Sequence, residues 1–329
     1  MEIKVNGASC FDDRTPSSQR EQKFTMETKT NISNSSRDFL VTTSSIIALI
    51  FLIINCYGQK PDKTMRHIKV NDLSVAYNQT GSGPVLLLLH GFAIDSRVWE
   101  LQIDALSEDF TVISWDAPGA GQSSDPPETF SLSDWADCIS ALLDSAHVEK
   151  AHILGLSWGG ILAQEFYHRH AHRVLSLILA GAYAGWKGSL PQPVVEDRLA
   201  TCLRDASLPP GEFVSKYLPG MFGDSPSQEA QEKLANTMSD FHPIGFRLMA
   251  TSSANADTRN ILPTIKVPTL LIWGEKDKRS QISVAHQMHD AIPGSKLQVI
   301  KGAGHVCNLE APAQFNKIVR DFCLSLPNK

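Results

Sequence analysis

The chain reads as an α/β protein: a mostly parallel central sheet with helices on both faces, and a helical cap inserted after the sixth strand. Three observations predict it. From about Met65, short apolar runs alternate with amphipathic helical stretches, the pattern of strands joined by crossover helices. The rhythm stops over about 184–260, where helical patterns follow one another with no convincing strand. It then resumes to the end of the chain.

Taken in order, "RHIKV" and "DLSVAYNQT" are two short strands about an Asn71-Asp72 turn, a hairpin by pattern. "PVLLLLH" is a continuous apolar run, as a strand buried on both faces should be. "SRVWELQIDAL" puts Val98, Trp99, Ile103 and Leu106 on one side of a helix, with Ser96 as its expected N-cap. "FTVISWD" is a strand, "SLSDWADCISALLDSA" a helix, "AHILGLS" a strand, "WGGILAQEFYHRH" a helix and "VLSLILAGAY" the sixth strand. The insertion holds the helical stretches "SLPQPVVEDRLATCL", "PPGEFVSKYLPGMFG" and "SQEAQEKLANTMSDF". The strand "VPTLLIWG", a helix near "SQISVAHQMHDAI", the strand "SKLQVIKG" and the helix "PAQFNKIVRDFCLSL" complete the domain, expected over 65–329. No internal repeat is visible.

The bulk composition narrows the function. With 42% hydrophobic and 20% charged residues the chain is globular, and a net charge of −5 offers no footing for nucleic acid. Six scattered cysteines without a CxxC pair exclude a zinc ribbon or a thioredoxin-like site. Residues 1–38 are polar and rich in Ser, Thr and Asn, and are expected to be a disordered extension. Residues 39–57 form a hydrophobic anchor or signal segment. Its core, Ile46–Ile54, has the size of a signal-peptide h-region, while Phe39 to Tyr57 approaches the roughly 20 residues that span a bilayer. A start at Met26 would give a signal of ordinary proportions. Cys56 stands where a lipoprotein cysteine would, although Asn55 before it is not the usual small residue. Membrane attachment or export is favoured over a cytoplasmic location; the sequence gives no oligomeric state.

The chemistry gathers at "GLSWG". Gly155-Leu156-Ser157-Trp158-Gly159 matches G-x-S-x-G, with a strand before it and a helix after it. The serine is expected on a strained turn at the carboxyl end of the sheet, where side chains two residues to either side would collide with backbone. A hydroxyl needs a base to become a nucleophile. His305, in the glycine-rich loop "KGAGHVCNLEAP" after the last strand, reaches the same sheet edge. His168, His170 and His172 lie at a helix end and are better read as complementing its dipole than as metal ligands. The base needs a carboxylate to hold its tautomer, and Asp277 in "LIWGEKDKRS" supplies it, with Glu275 as the fallback. The stretch "LSLILAGAYAG" offers no acid at the other place one could sit. The backbone N–H groups of Phe92, after "LLLLHG", and of Trp158 are placed to form an oxyanion hole. His90 beside them is read as structural.

With those residues in view, the chain from about Met65 resembles the α/β-hydrolase superfamily. "LLHGF", "DAPGAGQSS", "GLSWGG", "VPTLLIWGEKD" and "GAGHVCNLEAP" each look like a block of its capped branch. Within it the chain is most similar to the group of carboxylesterases, 3-oxoadipate enol-lactonases and cofactor-free haloperoxidase-like hydrolases. The resemblance implies that Asp116 and the glycines after it are structural loop residues; acyl transfer through Ser157 and His305 requires no metal or organic cofactor. Ser157 in place of an aspartate disfavours dehalogenases and epoxide hydrolases. One departure is Ala93, where many relatives carry proline.

The expected reaction is hydrolysis of a small to medium, largely apolar ester or lactone through an acyl-enzyme. Trp186, Phe213, Tyr217, Met221, Phe222, Phe241, Phe246 and Met249 are candidates for the pocket, most of them expected to form the cap's own core instead. Arg198, Arg204 and Arg247 are candidates for holding a substrate carboxylate. Two other readings stand beside this one: a C–C bond hydrolase using the same triad, and a ligand receptor that keeps the triad without steady turnover.

Overall fold

The computed structural model describes residues 64–327. The extension 1–38, the apolar segment 39–57, Cys10 and Cys56 lie outside them. The described strands are β1 (Arg66–Val70), β2 (Leu73–Thr80), β3 (Val85–Leu89), β4 (Thr111–Trp115), β5 (Ala151–Leu156), β6 (Val174–Ala180), β7 (Thr269–Gly274) and β8 (Lys296–Ile300). They form one sheet in the order β1-β2-β4-β3-β5-β6-β7-β8. β1 and β2 are the expected hairpin, turning through Asn71 at φ 53. β2 pairs antiparallel with β4, and every pairing from β4 across to β8 is parallel. The apolar runs behave as such strands must, with β5 and β7 buried along their whole length.

Helices α1 (Glu100–Leu106), α2 (Leu132–Ser145) and α3 (Trp158–His170) lie in the crossovers before β6. Between β6 and β7 come α4 (Trp186–Ser189), α5 (Gln192–Asp205), α6 (Pro210–Tyr217), α7 (Gln228–Ser239) and α8 (Pro243–Asn255), with no strand among them. The chain closes with α9 (Ile282–Ala291), α10 (Cys307–Glu310) and α11 (Pro312–Leu324). Among the described residues no helix is long and apolar enough to cross a membrane. Cys138, Cys202, Cys307 and Cys323 are buried and free.

Two sequence expectations need correction. Ser96 is not a helix N-cap: the helix is entered by a 3₁₀ turn over Ser96–Trp99, and the Asp95 carboxylate accepts the Arg97 N–H at 2.9 Å. Ser96 instead donates its own N–H to Asp116. The helix α8 was not singled out, because it is buried over most of its circumference from Gly245 to Ala254 and so has a weak period.

Burial divides the insertion as expected. Phe213 stacks on Phe241 at 3.9 Å and on Tyr217 at 4.5 Å, and packs edge-on to Phe246 at 5.0 Å, giving the cap helices an aromatic core. Polar contacts join that layer to the sheet domain: the ion pairs Lys233 to Glu100 and Arg247 to Glu128, and the hydrogen bond between His242 and Asp125, each at 2.6 Å. Each is partly exposed and adds little stability.

The strand register does the positioning. Leu89 pairs with Gly155, Leu156 with Ala180, Ala180 with Ile272, and Gly274 with Ile300. Five parallel strands therefore end close together, and the loops that leave them share one edge of the sheet.

Candidate active site

Ser157 is the first residue beyond β5, held at φ 55 and ψ −114. A non-glycine residue in that region is strained, and such strain persists only where the surroundings impose it. The surroundings here are backbone. The Ser157 N–H bonds the Ala180 carbonyl at 2.8 Å, while α3 starts immediately after. A Cβ at Gly155 would meet the carbonyl of Gly159, and one at Gly159 would meet the carbonyl of Leu89. Hydrogen is the only side chain that lets β5, α3 and the end of β3 approach so closely. The predicted collisions two residues on either side of the serine are real.

His305 lies in the loop between β8 and α10, and its backbone N–H bonds the Met221 carbonyl at 2.9 Å. Its Nδ1 sits 2.8 Å from Asp277 Oδ2, with both side chains almost wholly buried. The other carboxylate oxygen accepts the N–H groups of Arg279 and Ser280, each at 2.8 Å. Those bonds leave Asp277 one free direction, toward the imidazole, and hold the ring's Nδ1–H tautomer. Glu275, the fallback, is exposed and takes the Gly302 N–H instead. Gly181, at φ 51 just past β6, brings backbone against this pair: a Cβ there would stand 3.1 Å from His305 Nδ1 and 3.3 Å from Asp277 Oδ2. The stretch that offers no acid is the stretch that makes room for one.

Ser157 and His305 line the same cavity, together with Gly91 and Phe92 from the loop after β3. It encloses about 120 Å³. Among the described residues no acceptor takes the backbone N–H of Phe92 or of Trp158, which opens α3 beside Ser157. His90 is structural: Ala117 donates its N–H to Nε2 at 3.0 Å, so Nδ1 carries the proton given to the Gly91 carbonyl at 2.7 Å. Burial holds its pKa below the ordinary histidine value, which suits this neutral role. Asp116 is a loop organiser, accepting the N–H groups of Ser96 and Gln122. Ala93 sits at φ 64, which proline, confined near −65°, could not adopt.

From the cap, Trp186, Tyr217 and Met221 of the eight candidates reach the cavity, joined by Met238. Of the three arginines, Arg198 lines it; Arg204 bonds Thr201 and Arg247 pairs with Glu128. Contributors missed in the sequence include Arg279, Tyr183 and Glu310. Arg279 lines the cavity from the loop that carries Asp277. Tyr183 lines it too, its phenol pushed up to about 12 by burial and so neutral. Glu310 accepts the N–H groups of Gly304 and Gly223, tying the histidine loop to the cap, and burial raises its pKa. Position in the acid loop could have pointed to Arg279; nothing in the pattern pointed to Tyr183. The helix-end histidines hold no metal set: His170 pairs with Asp137, and no metal-binding cluster occurs among the described residues.

The model of the α/β-hydrolase fold family matches residues 84–312, from the start of β3 into α11. The chain belongs to the α/β-hydrolase family. The family match spans every loop that forms the cavity floor. Among relatives, the 3-oxoadipate enol-lactonase 1 of Acinetobacter baylyi is 28% identical over 260 residues, covering 77% of this chain and 94% of the relative. A 2-hydroxy-6-oxononadienedioate/2-hydroxy-6-oxononatrienedioate hydrolase of Paraburkholderia phymatum is 31% identical over 266 residues, covering 76% and 91%. Among solved structures, a thermophilic esterase from Thermogutta terrifontis superimposes with a TM-score of 0.74 at 27% identity, covering 80% of this chain and 98% of that one. This α/β hydrolase thus has esterase, lactonase and C–C hydrolase relatives.

Proposed function

We propose that the protein is a serine hydrolase that cleaves a carboxylic ester or lactone, with residues 65–329 as its catalytic domain and 184–260 as the cap over the site. The observation that carries this reading is Ser157, at positive φ, lining one cavity with His305, whose Nδ1 bonds the buried Asp277. Neither a tight turn nor a core histidine requires that combination.

In the reaction, His305 Nε2 takes the Ser157 hydroxyl proton as Oγ attacks the substrate carbonyl. The carbonyl oxygen gains the negative charge and is held by the Phe92 and Trp158 N–H groups, each worth about 3–4 kcal/mol in the transition state. Collapse breaks the bond to the leaving alkoxide, which takes the proton from His305. Water, deprotonated by the same imidazole, then attacks the acyl-enzyme and releases the acid. Asp277 stabilises the imidazolium through both steps. The enol-lactonase and esterase relatives support the choice of an ester or lactone carbonyl.

The test is hydrolysis of p-nitrophenyl butyrate by the full chain beside Ser157→Ala. Steady turnover is expected in the wild type, with a loss of about 10³-fold or more in the variant. Turnover only on a vinylogous 1,5-diketone would select the C–C hydrolase reading instead. Stable binding with no turnover on either substrate would select the receptor. Residues 39–57 belong to the same proposal as a signal or anchor, which separation of membrane and soluble fractions tests.

A further inference from the structure

The cavity wall carries two cations that ester hydrolysis does not require. Arg198 on α5 and Arg279, two residues beyond Asp277, line the same cavity as Ser157 and His305. They are braced against each other and against neutral groups. Arg198 donates to the Arg279 carbonyl at 3.1 Å and to the Tyr183 hydroxyl at 3.2 Å, with its guanidinium 5.8 Å from the Trp186 ring. Arg279 donates to the Tyr217 carbonyl at 3.2 Å and lies 5.5 Å from the Tyr217 ring. Its Nε is buried and has no hydrogen-bond partner.

Most other arginines are paired or lie in solvent. Arg97, Arg169, Arg173, Arg247, Arg259 and Arg320 each pair with a carboxylate, while Arg66 and Arg204 bond Gln79 and Thr201 at exposed positions. Among the described residues, Arg198 and Arg279 form no ion pair. Two acids are nearby and neither serves. Asp197 lines the cavity from an exposed position without pairing to either guanidinium, and both oxygens of Asp277 are taken by His305 and by backbone amides. Two like charges in a partly buried, aromatic-walled cavity cost free energy that a bound anion would recover. A guanidinium offers paired N–H donors in a plane, which matches a carboxylate.

We propose that Arg198 and Arg279 together recognise a carboxylate carried by the substrate, so that the preferred ester or lactone is an acid and not an apolar chain. This rests on the reading of Ser157 as nucleophile. The anion contributes no step to the chemistry. It orients the substrate so that its scissile carbonyl meets Ser157, and Tyr183, a neutral phenol already accepting from Arg198, completes that wall.

The test compares mono-p-nitrophenyl glutarate with p-nitrophenyl 4-carbamoylbutanoate, which replaces the carboxylate by an amide of the same shape. Rates are taken as differences from Ser157→Ala, which removes spontaneous anhydride formation. The wild type is expected to favour the acid in kcat/KM by about tenfold or more, a preference that Arg198→Ala or Arg279→Ala each reduces by about tenfold. Arg198→Lys and Arg279→Lys should keep part of it, and Arg247→Ala all of it. Equal rates on the two esters, or a preference that neither arginine changes, would overturn the proposal. A second readout needs no turnover: glutarate should raise the melting temperature of Ser157→Ala, and adding Arg198→Ala or Arg279→Ala should abolish the rise. If neither ester is hydrolysed, the ester reading fails, and the glutarate shift alone decides the arginine wall: no shift overturns it.

Discussion

The two ends of the central sheet carry buried histidines that do opposite things. At the carboxyl end, His305 meets a carboxylate at 2.8 Å, and the loops around it are built on positive φ at Ser157 and Gly181. At the amino end, His152 in β5 hydrogen-bonds the Ser176 hydroxyl, also at 2.8 Å, and packs edge-on to Phe110, and burial pushes its pKa down to about 4. Four residues of β5 separate His152 from Ser157. An imidazole with a carboxylate behind it can accept and return a proton without leaving a charge unpaired. One with a hydroxyl behind it stays neutral and simply packs. The partner, not the residue type, decides whether a buried histidine belongs to chemistry.

Substitutions at the two ends should separate rate from stability. The largest effect is expected for Asp277→Asn, which keeps the size of the side chain but not its charge. The kcat on a hydrolysed ester should drop about 10⁴-fold while the circular-dichroism spectrum is kept. A drop below tenfold would break the comparison. Next comes Gly159→Ala, whose Cβ would press on the carbonyls of Leu89 and His90. Separating α3 from the end of β3 should cost about 2–4 kcal/mol in urea unfolding, with activity falling alongside. An unchanged midpoint would mean that the elbow is looser than described.

The smallest effect is expected from His152→Gln, at the amino end. A histidine at about 4 when folded and at 6.5 when unfolded binds protons more readily in the unfolded chain as pH falls. Its neutral burial therefore costs nothing above pH 6.5, and stability is lost progressively between 6.5 and about 4, by at most about 3 kcal/mol. The glutamine variant should flatten that part of the stability–pH curve and leave kcat at neutral pH within a factor of about two. A large loss of rate would show that the two ends are not independent.

Legibility in the sequence followed the same division between backbone and side chain. The sheet was readable because parallel strands buried on both faces must be continuous apolar runs, as "PVLLLLH" and "TLLIWG" are. Ser157 and Asp277 were proposed because each follows such a run, and His305 because its loop follows the edge strand β8; register brings the three loops to one edge. The cavity wall was not readable in the same way. Phe213 and Tyr217 share one short helix and one stack, yet only Tyr217 reaches the cavity. Which of them does so depends on how α6 and α8 pack, a tertiary fact with no local signature. Arg279 was hidden for another reason: in "GEKDKRS" it reads as one more solvated charge of a loop. Its cavity position follows from the backbone bonds that wrap the loop around Asp277.

Activation of Ser157 as a nucleophile by His305 can be read directly by labelling the full chain with a fluorophosphonate, followed by peptide mass mapping, beside Ser157→Ala and His305→Ala. One adduct is expected, on the peptide containing Ser157, absent in the serine variant and formed far more slowly in the histidine variant. An adduct on another residue, or equal labelling rates in wild type and His305→Ala, would contradict it.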